Sequence, residues 1–96
     1  MVEVIWTQNA TNEIVSIAEY LAQYSEHYAS MVVKRLYEKV GVLRQFPKLG
    51  RVIPEMQEDK YRELIDGNYR VMYEILDEEI ILIQRVMHSS RFFEKL

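Results

Sequence analysis

Two turn signals split residues 61–91 into three β-rich runs, and nothing else in the chain constrains its fold as much. The turns are Asp66-Gly67-Asn68 and Asp77-Glu78-Glu79. Glycine supplies positive φ in such turns, and Asp or Asn side chains bond their own backbone. In the run Tyr69–Ile75, Tyr69, Val71, Tyr73 and Ile75 share one face, with Arg70, Met72 and Glu74 on the other. The run Ile80–Met87 is apolar on both faces, which places it in the sheet interior. Every run carries an arginine: Arg62, Arg70 and Arg85, with His88 and Arg91 where the last run ends. The pattern predicts a compact sheet that gathers cationic side chains.

The upstream half predicts what covers that sheet. Met1–Trp6 is β-branched and aromatic and reads as a first strand. Thr7 is placed to cap a helix over Thr11–Tyr24, whose Ile14, Ile17, Ala18 and Leu21 follow the helical period. Ser25 is placed to cap a second helix running to about Phe46, with Glu26 in its first turn. Ala29, Val33, Leu36, Val40 and Leu43 form its apolar stripe. Gly41 in mid-helix suggests a close packing contact. Pro47 ends the helix, and Pro54 keeps Arg51-Val52-Ile53 out of a central strand. The expected class is α+β in the order β-α-α-β-β-β, as one domain over 1–96. Its helix hairpin packs on one face of an antiparallel sheet. The other face is expected to be open, with Met72 beside arginines, as a partner surface would be.

Composition narrows the function. The chain has 96 residues, no cysteine and only His27 and His88, so neither disulfides nor a Cys/His metal cluster is expected. No cofactor is expected either. Phosphate-loop, dinucleotide, zinc and nucleophile-elbow motifs are absent from the sequence. Nothing resembles a secretory signal or an apolar span of ~20 residues, so the expectation is a cytoplasmic protein that does not enter a membrane. The net charge of −3 argues against broad phosphate binding but allows a local basic patch. Arg70 has two readings, an anion anchor or a cross-strand ion pair with Glu63 or a neighbour such as Glu74. His88 likewise reads as a general acid or base, or as a strand cap bonded to a loop carbonyl. Tyr69 and Tyr73 read as core.

Five segments then carry a family resemblance: Phe46-Pro47, Gly50-Arg51-Val52-Ile53-Pro54-Glu55, Arg62-Glu63-Leu64, Gly67-Asn68-Tyr69-Arg70-Val71-Met72-Tyr73 and Val86-Met87-His88-Ser89-Ser90-Arg91. In this order and spacing the chain resembles the RelE/ParE superfamily of toxins from type II toxin–antitoxin modules. The resemblance implies neutralisation by a cognate antitoxin, of ribbon-helix-helix type, in a hetero-oligomer. Two activities occur in that superfamily. RelE-like members cleave mRNA on the ribosome with several Lys and Arg side chains and a C-terminal Tyr or His. ParE-like members act on DNA gyrase. Here the strand before Arg70 carries no interior lysine and places Glu63 where a cation is expected, while Phe92-Phe93 stands in for the C-terminal tyrosine. The resemblance therefore favours the ParE-like branch, a gyrase inhibitor rather than an enzyme. The alternative is a ribosome-dependent mRNA endonuclease using Arg70, His88 and Arg91. Under either, the contact residues expected for target or antitoxin are Arg62, Arg70, Met72, Arg85, His88, Arg91, Phe92 and Phe93.

Overall fold

A computed structural model describes residues 2–90. The elements run β1 (Glu3–Trp6), α1 (Gln8–Ala22), α2 (Glu26–Gly41), a 3-10 turn (Val42–Arg44), β2 (Arg51–Val52), β3 (Tyr61–Asp66), β4 (Tyr69–Ile75) and β5 (Ile80–His88). Both caps form as expected: Thr7 accepts from the Ala10 amide and Ser25 from the Tyr28 amide. Each satisfies an amide that has no partner within its helix. Thr7 also donates its hydroxyl to the Ile83 carbonyl at 2.8 Å, which ties the start of α1 to β5.

The five strands lie in the order β1-β5-β4-β3-β2. The expected α+β class and meander hold, but the sheet is mixed rather than wholly antiparallel. β1 runs parallel to β5, with Glu3 opposite Ile80 and Trp6 opposite Ile83. Alternation in a short strand reads the same in either direction, so only its neighbour sets the sense. β2 is the two-residue edge strand that Pro54 allows.

The main core lies between the hairpin and one sheet face. It joins Ile14, Val32, Leu36, Val40 and Leu43 to Leu64, Val71, Tyr73, Ile81, Ile83 and Val86. On α2 the fully buried position is Val32; Val33 is only partly buried. Gly41 makes no close contact, because a Cβ there would meet only the Arg44 guanidinium at 3.5 Å. The close approach is at Gly50, where a Cβ would lie 2.5 Å from the Glu63 carbonyl oxygen and 2.8 Å from the Tyr73 hydroxyl.

The opposite sheet face is not open around Met72, as the sequence had suggested. Ile53 and Met56, which follow β2, close over Met72 and Met87 in a second small core with Tyr61. Met72 is fully buried there.

A β-bulge sets the phase of β5. Met72 pairs with Arg85 and Tyr73 with Ile83, so Gln84 is the extra residue. Strict alternation would put Ile81, Ile83, Arg85 and Met87 on one face. The bulge instead delivers Ile81, Ile83 and Val86 to the main core and turns Arg85 away from it.

Candidate functional site

Arg70 is the hub of the residues singled out. It leaves β4 on the face of the small core, opposite Met87, and is 5% exposed. Its Nε donates to Glu63 Oε1 at 2.6 Å, and its two terminal nitrogens donate to Glu55 at 2.9 and 2.8 Å. Glu63 sits on β3 between β2 and β4, is 1% exposed, and takes a further bond from Arg51 Nε at 2.6 Å. Glu55 follows Pro54 on the segment that covers the small core, and the Arg70 guanidinium holds its carboxyl below the usual carboxylate range. The bonds to Glu55 and Glu63 raise the Arg70 pKa still further, so the Arg70–Glu55 pair is charged at any physiological pH. Two cations therefore bracket two buried or nearly buried carboxylates, an arrangement that locks β2, β3, β4 and the covering segment together. The ion-pair reading of Arg70 holds, with Glu63 as an expected partner. Glu55 was not anticipated as a partner; its only sequence signal was its place after Gly50-Arg51-Val52-Ile53-Pro54.

Arg62 lies on the other sheet face, opposite Tyr73. It donates to the carbonyls of Lys48 and Gly50 and to Asp59. Beside it the Tyr73 hydroxyl accepts from the Gly50 amide at 2.9 Å and donates to the Pro47 carbonyl at 2.7 Å. Burial raises the Tyr73 pKa, which keeps this phenol a donor. Arg62 and Tyr73 thus hold the Pro47–Gly50 loop against β3. Gly50 carries no side chain because the Tyr73 hydroxyl and the Glu63 backbone carbonyl fill the space a Cβ would need.

Arg85 reaches the edge of β5 and forms a two-pronged pair with Glu13 of α1, at 2.8 to 3.1 Å. Glu13 also accepts from the Val86 amide at 2.9 Å, taking the position of a strand neighbour where β1 has ended. His88 ends β5, exposed, with its ring edge-on to Tyr69 at 5.9 Å. Its Nδ1 accepts from the Ser90 amide at 3.2 Å and lies 2.7 Å from the Ser90 hydroxyl. His88 therefore closes the strand end through Ser90 rather than through a loop carbonyl. His88 and Tyr69 also line a groove of about 500 Å³ with Asn12, Ser16 and Tyr20 of α1.

Two of the expected catalytic residues are not brought together. His88 pairs with Tyr69, and Tyr69 packs against the main core. Arg70 pairs with Met87 beside the small core. Directly paired residues share a face and successive residues alternate, so Arg70 and His88 point to opposite sides of the sheet. Arg91, Phe92 and Phe93 lie outside the described residues. No metal-ligating cluster occurs among the described residues, and no helix there is long and apolar enough to cross a membrane.

A first strand, a helix hairpin and a strand meander, with a buried arginine clasped by carboxylates, define a small α+β protein. Residues 4–93 match the family model described as ParE toxin of type II toxin–antitoxin system, parDE, and the chain belongs to that family. It is 28% identical over 92 residues to Toxin RelE2 of Caulobacter vibrioides, a match covering 95% of this chain and 99% of that one. Its fold is similar to a solved structure titled chromosomal ParDE TA system from P. aeruginosa, with a TM-score of 0.73 and 21% identity. That likeness covers 92% of this chain and 96% of the other.

Proposed function

We propose that this toxin acts as a protein-binding inhibitor of DNA gyrase and is neutralised by direct binding of a cognate antitoxin; membership of a toxin–antitoxin family supports the second part. One observation carries the choice of target class. Arg70, the central cation of the nuclease alternative, is engaged by Glu55 and Glu63, and His88 stands on the other side of the sheet. Cleaving RNA requires converging groups that activate a 2′-hydroxyl, stabilise charge on phosphorus and protonate a leaving oxygen. A buried carboxylate pair beside the central arginine opposes a phosphate instead. The name RelE2 belongs to a relative that is 28% identical, and does not by itself transfer an activity.

The surface that best suits an antitoxin segment is the groove between α1 and the end of β5. β5 continues to His88, while its pairing with β1 ends at Ile83. Glu13 occupies the strand edge at Val86, and past it the groove is walled by Tyr20, Tyr69 and His88, a site suited to a peptide with aromatic contacts.

The test adds purified toxin to gyrase supercoiling and cleavage reactions, and in parallel to a translating ribosome system. Accumulated gyrase–DNA cleavage complexes with intact mRNA are expected, unchanged in His88→Ala. Ribosome-dependent mRNA cuts that disappear in His88→Ala would overturn the reading.

A further inference from the structure

At the end of the sheet away from the Gly67 turn, a second groove of about 760 Å³ opens between the Phe46–Leu49 loop and the β4–β5 turn. Phe46, Pro47, Leu49 and Ile75 form its apolar walls, and Asp77 and Glu78 form one rim. Phe46 is 59% exposed and Leu49 53%, and Leu76, next in the chain after Ile75, is 48% exposed. Two large apolar side chains, Phe46 and Leu49, held half in water on one groove wall are a feature that folding alone does not explain, because neither belongs to either core.

The rim supplies the second part of the argument. Asp77, Glu78 and Glu79 are consecutive and exposed, and none forms an ion pair among the described residues. Asp77 spends one carboxylate oxygen on the Glu79 and Ile80 amides, which fixes the turn but leaves its charge uncompensated. The nearest basic lining residue, Lys48, is drawn toward Asp59 at 3.4 Å. The Arg44 guanidinium lies back over Gly41. Elsewhere the acidic side chains Glu13, Glu55, Glu63, Asp66 and Glu74 each have a cationic partner. Glu3, Glu19, Glu26, Glu38 and Glu58 also lack an ion pair among the described residues, but only Asp77, Glu78 and Glu79 are consecutive, and Asp77 and Glu78 stand beside the exposed Phe46 and Leu49.

We propose that this groove is a docking surface for a basic, amphipathic segment of a partner protein. A large apolar side chain of that segment enters between Phe46, Leu49 and Ile75, and flanking Lys or Arg side chains meet Asp77, Glu78 and Glu79. Apolar burial supplies the affinity, and the acidic turn supplies the selection against neutral or acidic segments and a salt-sensitive on-rate. The surface lies apart from the α1–β5 groove, so it serves a contact that an antitoxin segment seated there leaves accessible. It does not depend on gyrase being the target.

The probe is a matched pair of 12-residue peptides with the same Leu and Trp positions, one flanked by lysines and one by glutamates, titrated into labelled full-length protein and followed by amide NMR. The lysine peptide is expected to shift the amides of Phe46, Leu49, Leu76 and Glu78. The glutamate peptide is expected to bind at least tenfold more weakly. Glu78→Lys should weaken the lysine peptide severalfold and Leu49→Ser abolish its shifts. Glu19→Lys, an equal charge change on exposed α1, should leave its affinity unaltered. Equal affinity of the two peptides, shifts centred elsewhere, or equal weakening by Glu19→Lys and Glu78→Lys would overturn the proposal. So would a concentration-dependent dimer in sedimentation velocity that Leu49→Ser dissolves, since the occupant would then be a second copy.

Discussion

Arg70 shows how a residue with a functional profile can be held by structure. Taking it to Ala would leave Glu63 buried with a single cation and Glu55 without its clasp. Breaking a buried charge cluster by removing one partner costs about 3–5 kcal/mol, so Arg70→Ala should lose that much stability in urea unfolding. Loss of toxicity in that variant would then report folding before it reports chemistry. Glu55 adds a pH dependence of known sign. Its folded pKa lies below its unfolded value, chiefly through the bond from Arg70. Its contribution is therefore complete above the unfolded carboxylate value of about 4.3 and is lost as pH falls through the folded value. The stability gap between the native chain and Glu55→Gln should be widest at pH 7 and narrow on acidification toward pH 3, read from urea midpoints. Gly50→Ala belongs at the same scale. The added methyl meets a backbone carbonyl oxygen at 2.5 Å, and overpacking of that kind costs about 1–3 kcal/mol, visible as a lowered Tm.

Among the elements, α1 and β5 depend on each other most. Thr7 caps α1 and bonds the Ile83 carbonyl, and Glu13 closes the β5 edge at Val86 while pairing with Arg85. Losing an N-cap side chain costs about 1 kcal/mol. Thr7→Ala should cost at least that, and Thr7→Ser, which keeps the oxygen, markedly less; thermal unfolding distinguishes the two. The bulge at Gln84 makes a sharper prediction. Deleting Gln84 makes Ile83, Arg85 and Val86 successive, so strict alternation still turns Ile83 and Val86 to the core and Arg85 away from it. The deletion variant should therefore keep a single cooperative unfolding transition, and its loss would show that the bulge itself is required. The caps, the helical periods and the turns were all legible in the sequence, since each depends on residues within four positions of one another. The bulge was not, because an apolar run on both faces hides which residue is the extra one.

At the scale of the whole molecule, the described surface divides into three regions with different chemistry. The Arg70 cluster is internally compensated, the α1–β5 groove is aromatic, and the Phe46–Leu49 groove is apolar with an acidic rim. Only the first was foreseen as the functional centre, and it proved to be the most structural. Of the residues expected to touch a partner, Met72 is buried under Ile53 and Met56, and Arg62 clamps a loop. Arg85 is paired with Glu13, and His88 remains on an exposed groove wall.

The sequence by itself determined the α+β class, the order of elements, both helix caps, the two turns and the family. Local backbone chemistry and short-period apolar patterning decide these, and both are written in neighbouring residues. The tertiary structure alone decided the parallel sense of β1, the bulge, the cover over Met72, and above all that Arg70 and His88 face opposite ways. Each depends on which distant segment arrives alongside. Glu55, fifteen residues from Arg70, and Glu13, seventy-two from Arg85, are the clearest cases. Their charges were visible in the chain, but their partners were set only when the sheet closed.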